Sequence, residues 1–115
     1  MGYNNRETGS RYEREIAAYL EKRGFVILEK NYRCRSGEID LIARDGRYLV
    51  FIEVKYRKSG AAGTALEAIS PKKVLKVRQT AAYYLYEKGL PEDRPCRFDA
   101  AGVDGETVTY RKDAF

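Results

Sequence analysis

The sequence contains no histidine. That absence excludes Ser-His-Asp triads, Cys-His nucleophile pairs, histidine general bases and histidine metal ligands together. Any hydrolytic chemistry has to run on carboxylates, lysine, water and a bound metal. Cysteine is nearly absent as well, with Cys34 and Cys96 alone. Two cysteines without metal-ligand spacing read as free thiols in an intracellular chain, not as a disulfide framework. No apolar run approaches the roughly 20 residues of a membrane span. The segment from Met1 to Arg11 is polar and lacks the apolar centre of a signal peptide. These absences predict a cytoplasmic protein with no membrane partner.

What is present is ordinary for a folded domain: 115 residues, 43% hydrophobic and 34% charged. The length suits a single domain over 1–115. The net charge of +5 and pI of about 9.2 suit a polyanionic partner, nucleic acid before an anionic membrane.

Met1 to Gly9 reads as a loose start. A helix is expected over Ser10 to Arg23, with Ile16, Ala17 and Leu20 at helical spacing and Gly24 as its C-terminal stop. Phe25 to Leu28 reads as a first strand, followed by a basic connector from Asn31 to Ser36. Glu38 to Arg44 and Arg47 to Arg57 read as a hairpin around Asp45-Gly46. Lys58 to Ile69 reads as a loop. Ser70-Pro71 opens a second helix with an apolar stripe of Val74, Val77, Ala81, Tyr84 and Leu85, ended by Gly89 and Pro91. A last strand pair lies near Arg97 to Val103 and Thr107 to Arg111. The order predicts one mixed sheet flanked by two helices.

The hairpin carries the chemistry. Leu49, Phe51, Glu53, Lys55 and Arg57 share one face of their strand. With Asp45-Gly46 as the turn, Arg44 faces Arg47 and Asp40 faces Phe51, so Asp40 shares that face and lies diagonal to Glu53. Two carboxylates so placed can share a divalent cation, with the Val54 carbonyl as a further ligand and Lys55 as catalytic ammonium or base. The alternative is a solvated strand face bearing an ordinary Glu53–Lys55 pair.

Gly37-Glu38-Ile39-Asp40-Leu41-Ile42, followed by Phe51-Ile52-Glu53-Val54-Lys55, resembles the YraN family of bacterial predicted endonucleases. That family belongs to the PD-(D/E)XK nuclease superfamily and is similar to archaeal Holliday junction resolvases. The resemblance extends over nearly the whole chain. It includes the helix ending Tyr19 to Gly24, the Asn31-Tyr32-Arg33 segment, Lys73, and Arg97-Phe98-Asp99. It implies a restriction-endonuclease-like αβββαβ core, Mg²⁺ or Mn²⁺ between Asp40 and Glu53, a catalytic Lys55, and an accessory acid at Glu13. Ile39 stands where the superfamily name has proline, and Tyr12 where the family usually has glycine.

Glu13 also has its own case, since it lies on the face of Ile16, Ala17 and Leu20. The competing reading is a Ser10-to-Glu13 capping box. Lys72, Lys73 and Lys76 crowd the first turns of the second helix, where cations oppose the helix dipole and a phosphate would be welcome. Lys73 is singled out by the resemblance. Arg33, Arg35 and Arg57 flank the hairpin strands as phosphate contacts. A plain solubility face is the other reading of these cations.

The functional expectation is a metal-dependent endonuclease on branched or structured nucleic acid, DNA favoured over RNA. A resolvase-like role would call for a symmetric dimer. The alternative is a non-catalytic nucleic-acid-binding module that keeps the fold.

Overall fold

The first helix, α1, runs Tyr3–Glu21. The structure is a computed structural model and describes residues 3–57 and 69–115. The helix starts at Tyr3 rather than at Ser10, because a helix once nucleated extends through polar residues that carry no apolar period. Ser10 is therefore an interior residue and not an N-cap, so the capping-box reading of Glu13 lapses. Ile16, Ala17 and Leu20 are buried, as the spacing predicts, and Glu13 is buried with them. Gly24, at φ +89, follows the helix.

The first strand, β1, spans Val26–Cys34. The expected connector over Asn31 to Ser36 is thus mostly strand, with only Arg35-Ser36 between the paired Cys34 and Gly37. As an edge strand, β1 buries none of its residues fully, and the apolar signal stops early. β2 (Gly37–Asp45) and β3 (Tyr48–Arg57) follow as the hairpin. The loop expected from Lys58, including the Ser59 to Gly63 stretch, lies outside the described residues up to position 68.

The second helix, α2, is Pro71–Glu87. The Ser70 side chain accepts the Lys73 N–H at 3.1 Å, the N-cap bond that the Ser-Pro pair predicts. Gly89 (φ +66) ends it, with the Leu90 N–H closing on the Leu85 carbonyl at 2.8 Å. β4 (Cys96–Asp104) and β5 (Thr107–Arg111) complete a five-stranded sheet in the order β1-β2-β3-β4-β5. Only β3 and β4 pair in parallel, and α2 makes the crossover between them. The fold is therefore mixed α/β, compatible with a restriction-endonuclease-like αβββαβ core. Among the described residues no helix is long and apolar enough to cross a membrane.

The sheet is covered on both faces. α1 packs with Leu41, Ala43, Val50, Ile52, Ala101 and Val103. α2 packs, through Val77, Ala81 and Tyr84, with Ile39, Ile42, Leu49 and Phe51. Val74 and Leu85 of the expected stripe are half-buried, and Thr80 is fully buried in their place. Thr80 lies against Gly37 at the start of β2. A Cβ on Gly37 would lie 3.2 Å from Thr80 Oγ1, and Gly37 itself is at φ +151. Gly37→Ala should therefore cost about 1–3 kcal/mol by combining backbone strain with a tight contact. Urea denaturation measures it, and an unchanged midpoint would mean that the helix–strand approach is not constrained there.

Candidate functional site

The β2–β3 register brings the first two site residues together. The turn residues are Gly46-Arg47, with Asp45 paired to Tyr48 and Arg44 to Leu49. The expected turn, Asp45-Gly46, lies one residue too early, which moves the pairing by two: Phe51 faces Ile42 rather than Asp40. Gly46 takes the left-handed first turn position at φ +58, which Asp45 would fill less readily. A shift of two preserves the face of every residue, so the inference about Asp40 survives it. Continued past Leu41↔Ile52, the register sets Asp40 directly opposite Glu53 rather than diagonal to it.

There the two strands part. Asp40 Oδ2 accepts the Val54 N–H at 2.7 Å, so a side chain takes a donor that a ladder carbonyl would otherwise hold. The N–H and C=O of one strand residue point the same way. The Val54 carbonyl, an expected ligand, therefore also faces this gap. Alternation is broken here too: Leu41 belongs to the α1-side cluster, yet both Ile42 and Ile39 belong to the α2-side cluster. Opposite Asp40 on β1 is Asn31, a non-glycine residue at φ +54. The paired irregularity opens the sheet so that groups from both helix layers reach one spot.

Glu13 arrives from α1, with Asn31 and Asp40 within side-chain hydrogen-bonding reach. Lys73 arrives from α2, its Nζ 3.0 Å from Glu53 Oε2. Glu53 is 5% exposed and Glu13 8% exposed, so neither acid is solvated like a surface residue. Burial pushes the Asp40 carboxyl up to about 9, helped by its hydrogen bond to Glu53 and the Glu53 charge and opposed by the Val54 N–H. Burial likewise raises Glu13, against the contacts with Asn31 and Asp40. Burial alone would lower Lys73, but Glu53, Asp40 and Glu38 together hold its ammonium above the ordinary lysine value. Glu13 Oε1 and Glu53 Oε2 are buried without a hydrogen bond, and the Lys73–Glu53 contact is an ion pair outside hydrogen-bond geometry.

Buried carboxylate oxygens without donors suit a hard cation such as Mg²⁺ or Mn²⁺. Among the described residues, no three His, Cys, Asp or Glu side chains are grouped closely enough to hold a metal ion. The acid core is the Asp40–Glu53 pair, with Glu13 bordering it through Asp40.

Lys55 is half-buried and follows Glu53 by one pleat on the same face of β3. No described acid forms an ion pair with it. The ammonium that touches Glu53 is Lys73, which places Lys73 inside the acidic cluster as well as near the basic helix start. Lys72 and Lys76 are exposed on α2. Arg33 and Arg35 are exposed near the β1–β2 turn, with Arg33 3.5 Å from Glu38. Arg57 ends β3, and its side chain lies outside the described residues. Sequence reasoning missed Asn31 as a site residue. The available signal was that asparagine tolerates φ > 0 better than most residues. Tyr12, in the position beside Glu13, stacks on Tyr56 of β3 with ring centroids 4.3 Å apart.

The chain resembles proteins from many bacteria. A "UPF0102 protein" of Lachnoclostridium phytofermentans is 46% identical, over 97% of this chain and 95% of that protein. One from Nitrosococcus oceani is 40% identical, covering 96% and 93%. One from Moorella thermoacetica is 46% identical, covering 90% and 85%. The description "Uncharacterised protein family UPF0102" matches residues 12–103, which take in Glu13, Asn31, Asp40, Glu53, Lys55 and Lys73. The chain belongs to the UPF0102 family.

Proposed function

We propose that this protein is a divalent-metal-dependent endonuclease of the PD-(D/E)XK kind, similar to Holliday junction resolvases. It would hydrolyse phosphodiester bonds in branched or structured DNA in the cytoplasm. The observation that carries this reading is the pairing of Asp40 and Glu53 in the gap between β2 and β3, with a buried Glu53 oxygen lacking a hydrogen bond. Asp40 and Glu53 would hold the ion, with the Val54 carbonyl and Glu13 beside them. When bound, Mg²⁺ or Mn²⁺ supplies a Lewis acid for the phosphate and lowers the pKa of a water.

The chain's own cations do the remaining work. Lys55, free of any described acid, is available to the negative charge that grows on the phosphate. Lys73 balances Glu53 and sits at the start of α2, beside the exposed Lys72 and Lys76. Those lysines, with Arg33, Arg35 and Arg57, give phosphate contacts that position a duplex without reading its bases.

Calorimetric titration with Mn²⁺, together with cleavage assays on labelled branched and linear DNA, tests the reading. Asp40→Ala and Glu53→Ala should abolish ion binding. Lys55→Ala should leave ion binding intact and lower cleavage by about 100-fold or more. Wild-type cleavage by the Lys55→Ala protein would remove Lys55 from the mechanism.

One observation favours a second reading, a non-catalytic nucleic-acid-binding module. The Lys73 ammonium already supplies, at 3.0 Å, the positive charge that Glu53 needs. That module would bind nucleic acid with steep salt dependence and take up no Mn²⁺.

A further inference from the structure

We propose that the hollow between the β1–β2 turn and the second half of α2 is a subsite for one unpaired nucleotide. It would hold the substrate so that the cut falls about four nucleotides from a branch or flap. The inference rests on the nucleic-acid reading above and adds the feature that would select branched over plain duplex substrates.

The hollow has a volume of about 410 Å³ and is lined by Arg33, Cys34, Arg35, Ser36, Tyr83 and Glu87. That is the low end of the roughly 300–1,000 Å³ of small-molecule sites, a size for a nucleotide rather than a helix. Its walls differ in character. Tyr83 offers an aromatic face that is 43% exposed, and Tyr86, 79% exposed, lies beside it with ring centroids 6.0 Å apart. Two neighbouring exposed tyrosines contribute little to the core. They do suit bases, which stack on aromatic rings whatever their identity.

The charged walls give the site a direction. Among the described residues Arg35 has no ion pair, and Arg33 makes only an exposed contact with Glu38. Both are available to a phosphate. Glu87 lies on the lining too and accepts the Tyr32 hydroxyl at 3.0 Å. Its carboxylate repels phosphate and accepts N–H groups, and every base carries an N–H on its pairing edge. Base toward Glu87 and phosphate toward the arginines is the consistent arrangement. In a duplex that edge is occupied by the partner strand, so the site discriminates for unpaired nucleotides.

The placement on α2 sets the distance. Lys73, Lys76, Thr80, Tyr83 and Glu87 follow one another along one stripe of the helix, spaced by three or four. From Lys73 to Tyr83 the helix rises about 15 Å. At about 3.4 Å per nucleotide along a strand, this spans about four nucleotides. Lys76, exposed midway, is positioned for an intervening phosphate.

Fluorescence anisotropy with a labelled single-stranded DNA of about six nucleotides tests the subsite. EDTA is included so that binding is read without metal or cutting. Tyr83→Ala should weaken single-strand binding about 5- to 150-fold, the range for losing one stacked base. Tyr83→Phe, which keeps the ring, should stay within about twofold of wild type, and Tyr83→Ala should shift affinity for a blunt duplex by less than about twofold. Equal losses on single strand and duplex, or no loss on either, overturn the subsite. If the protein takes up no Mn²⁺ but Tyr83-dependent single-strand binding remains, the nuclease reading fails and the subsite stands. If Mn²⁺ binds and Tyr83→Ala binds single strands normally, the reverse holds.

Discussion

Asp40→Asn is expected to make the metal-free protein more stable, by about 1–3 kcal/mol at pH 8, while removing its capacity to bind Mn²⁺. The carboxyl of Asp40 is pushed up from 3.8 to about 9, first by burial and then by Glu53. For an acid raised on folding, the native state holds a proton that the unfolded chain has released. The stability linked to that proton is fully present below pH 3.8 and is lost as pH rises through about 9. Asparagine needs no proton. Its Oδ1 can keep the Val54 N–H, and its Nδ2 can donate to Glu53 in place of the shared proton. The advantage of the variant should therefore grow from pH 5 to pH 8. Denaturant titrations at the two values in EDTA measure it. An asparagine variant less stable than wild type at both would mean that Asp40 is ionised in the folded protein. The same proton predicts that Mn²⁺ affinity rises with pH until Asp40 is deprotonated, because binding the ion releases it. A stability cost concentrated at one residue is the ordinary signature of a site kept for function.

Asp99→Ala should be the most damaging single change to stability outside the apolar core, costing about 3–5 kcal/mol. Asp99 is 0% exposed and gathers four donors. Arg97 reaches it from Nε at 2.9 Å and from Nη2 at 2.9 Å, the Tyr110 hydroxyl donates at 2.5 Å, and the Asp113 N–H at 2.9 Å. Arg97 also bonds Asp45 at 2.9 Å, tying β4 to the end of the β2–β3 hairpin. Removing Asp99 leaves a largely buried guanidinium with only Asp45 to balance it. For a domain of ordinary stability, 5–15 kcal/mol, that loss takes away a large fraction. Thermal unfolding measures it, and a cost under about 1 kcal/mol would show that solvent replaces the lost partner. Asp99 pairs with Ile52 and shares its α1-side face, whereas Glu53 lies on the opposite, α2-side face, so an Asp99→Ala protein kept folded at low temperature should still bind Mn²⁺.

Local chemistry explains what was legible in the chain before its tertiary structure. Ser70-Pro71 and Gly89 set the ends of α2 because caps depend on backbone geometry and on one nearby side chain. Alternation along Leu49 to Lys55 set the faces, and parity alone put Asp40 on the side of Glu53 even though the pairing register was off by two. What lay beyond the sequence was whatever depended on another element. The N-terminal turns of α1 and the outer half of β1 carry too little apolar period to mark themselves. Packing on the sheet decided that Glu13 and Asn31 approach Asp40, and that Lys73, not Lys55, contacts Glu53. Residue types and two-residue periods are short-range information. The partner of a buried charge is chosen by the layers that enclose it, and no local pattern records that choice.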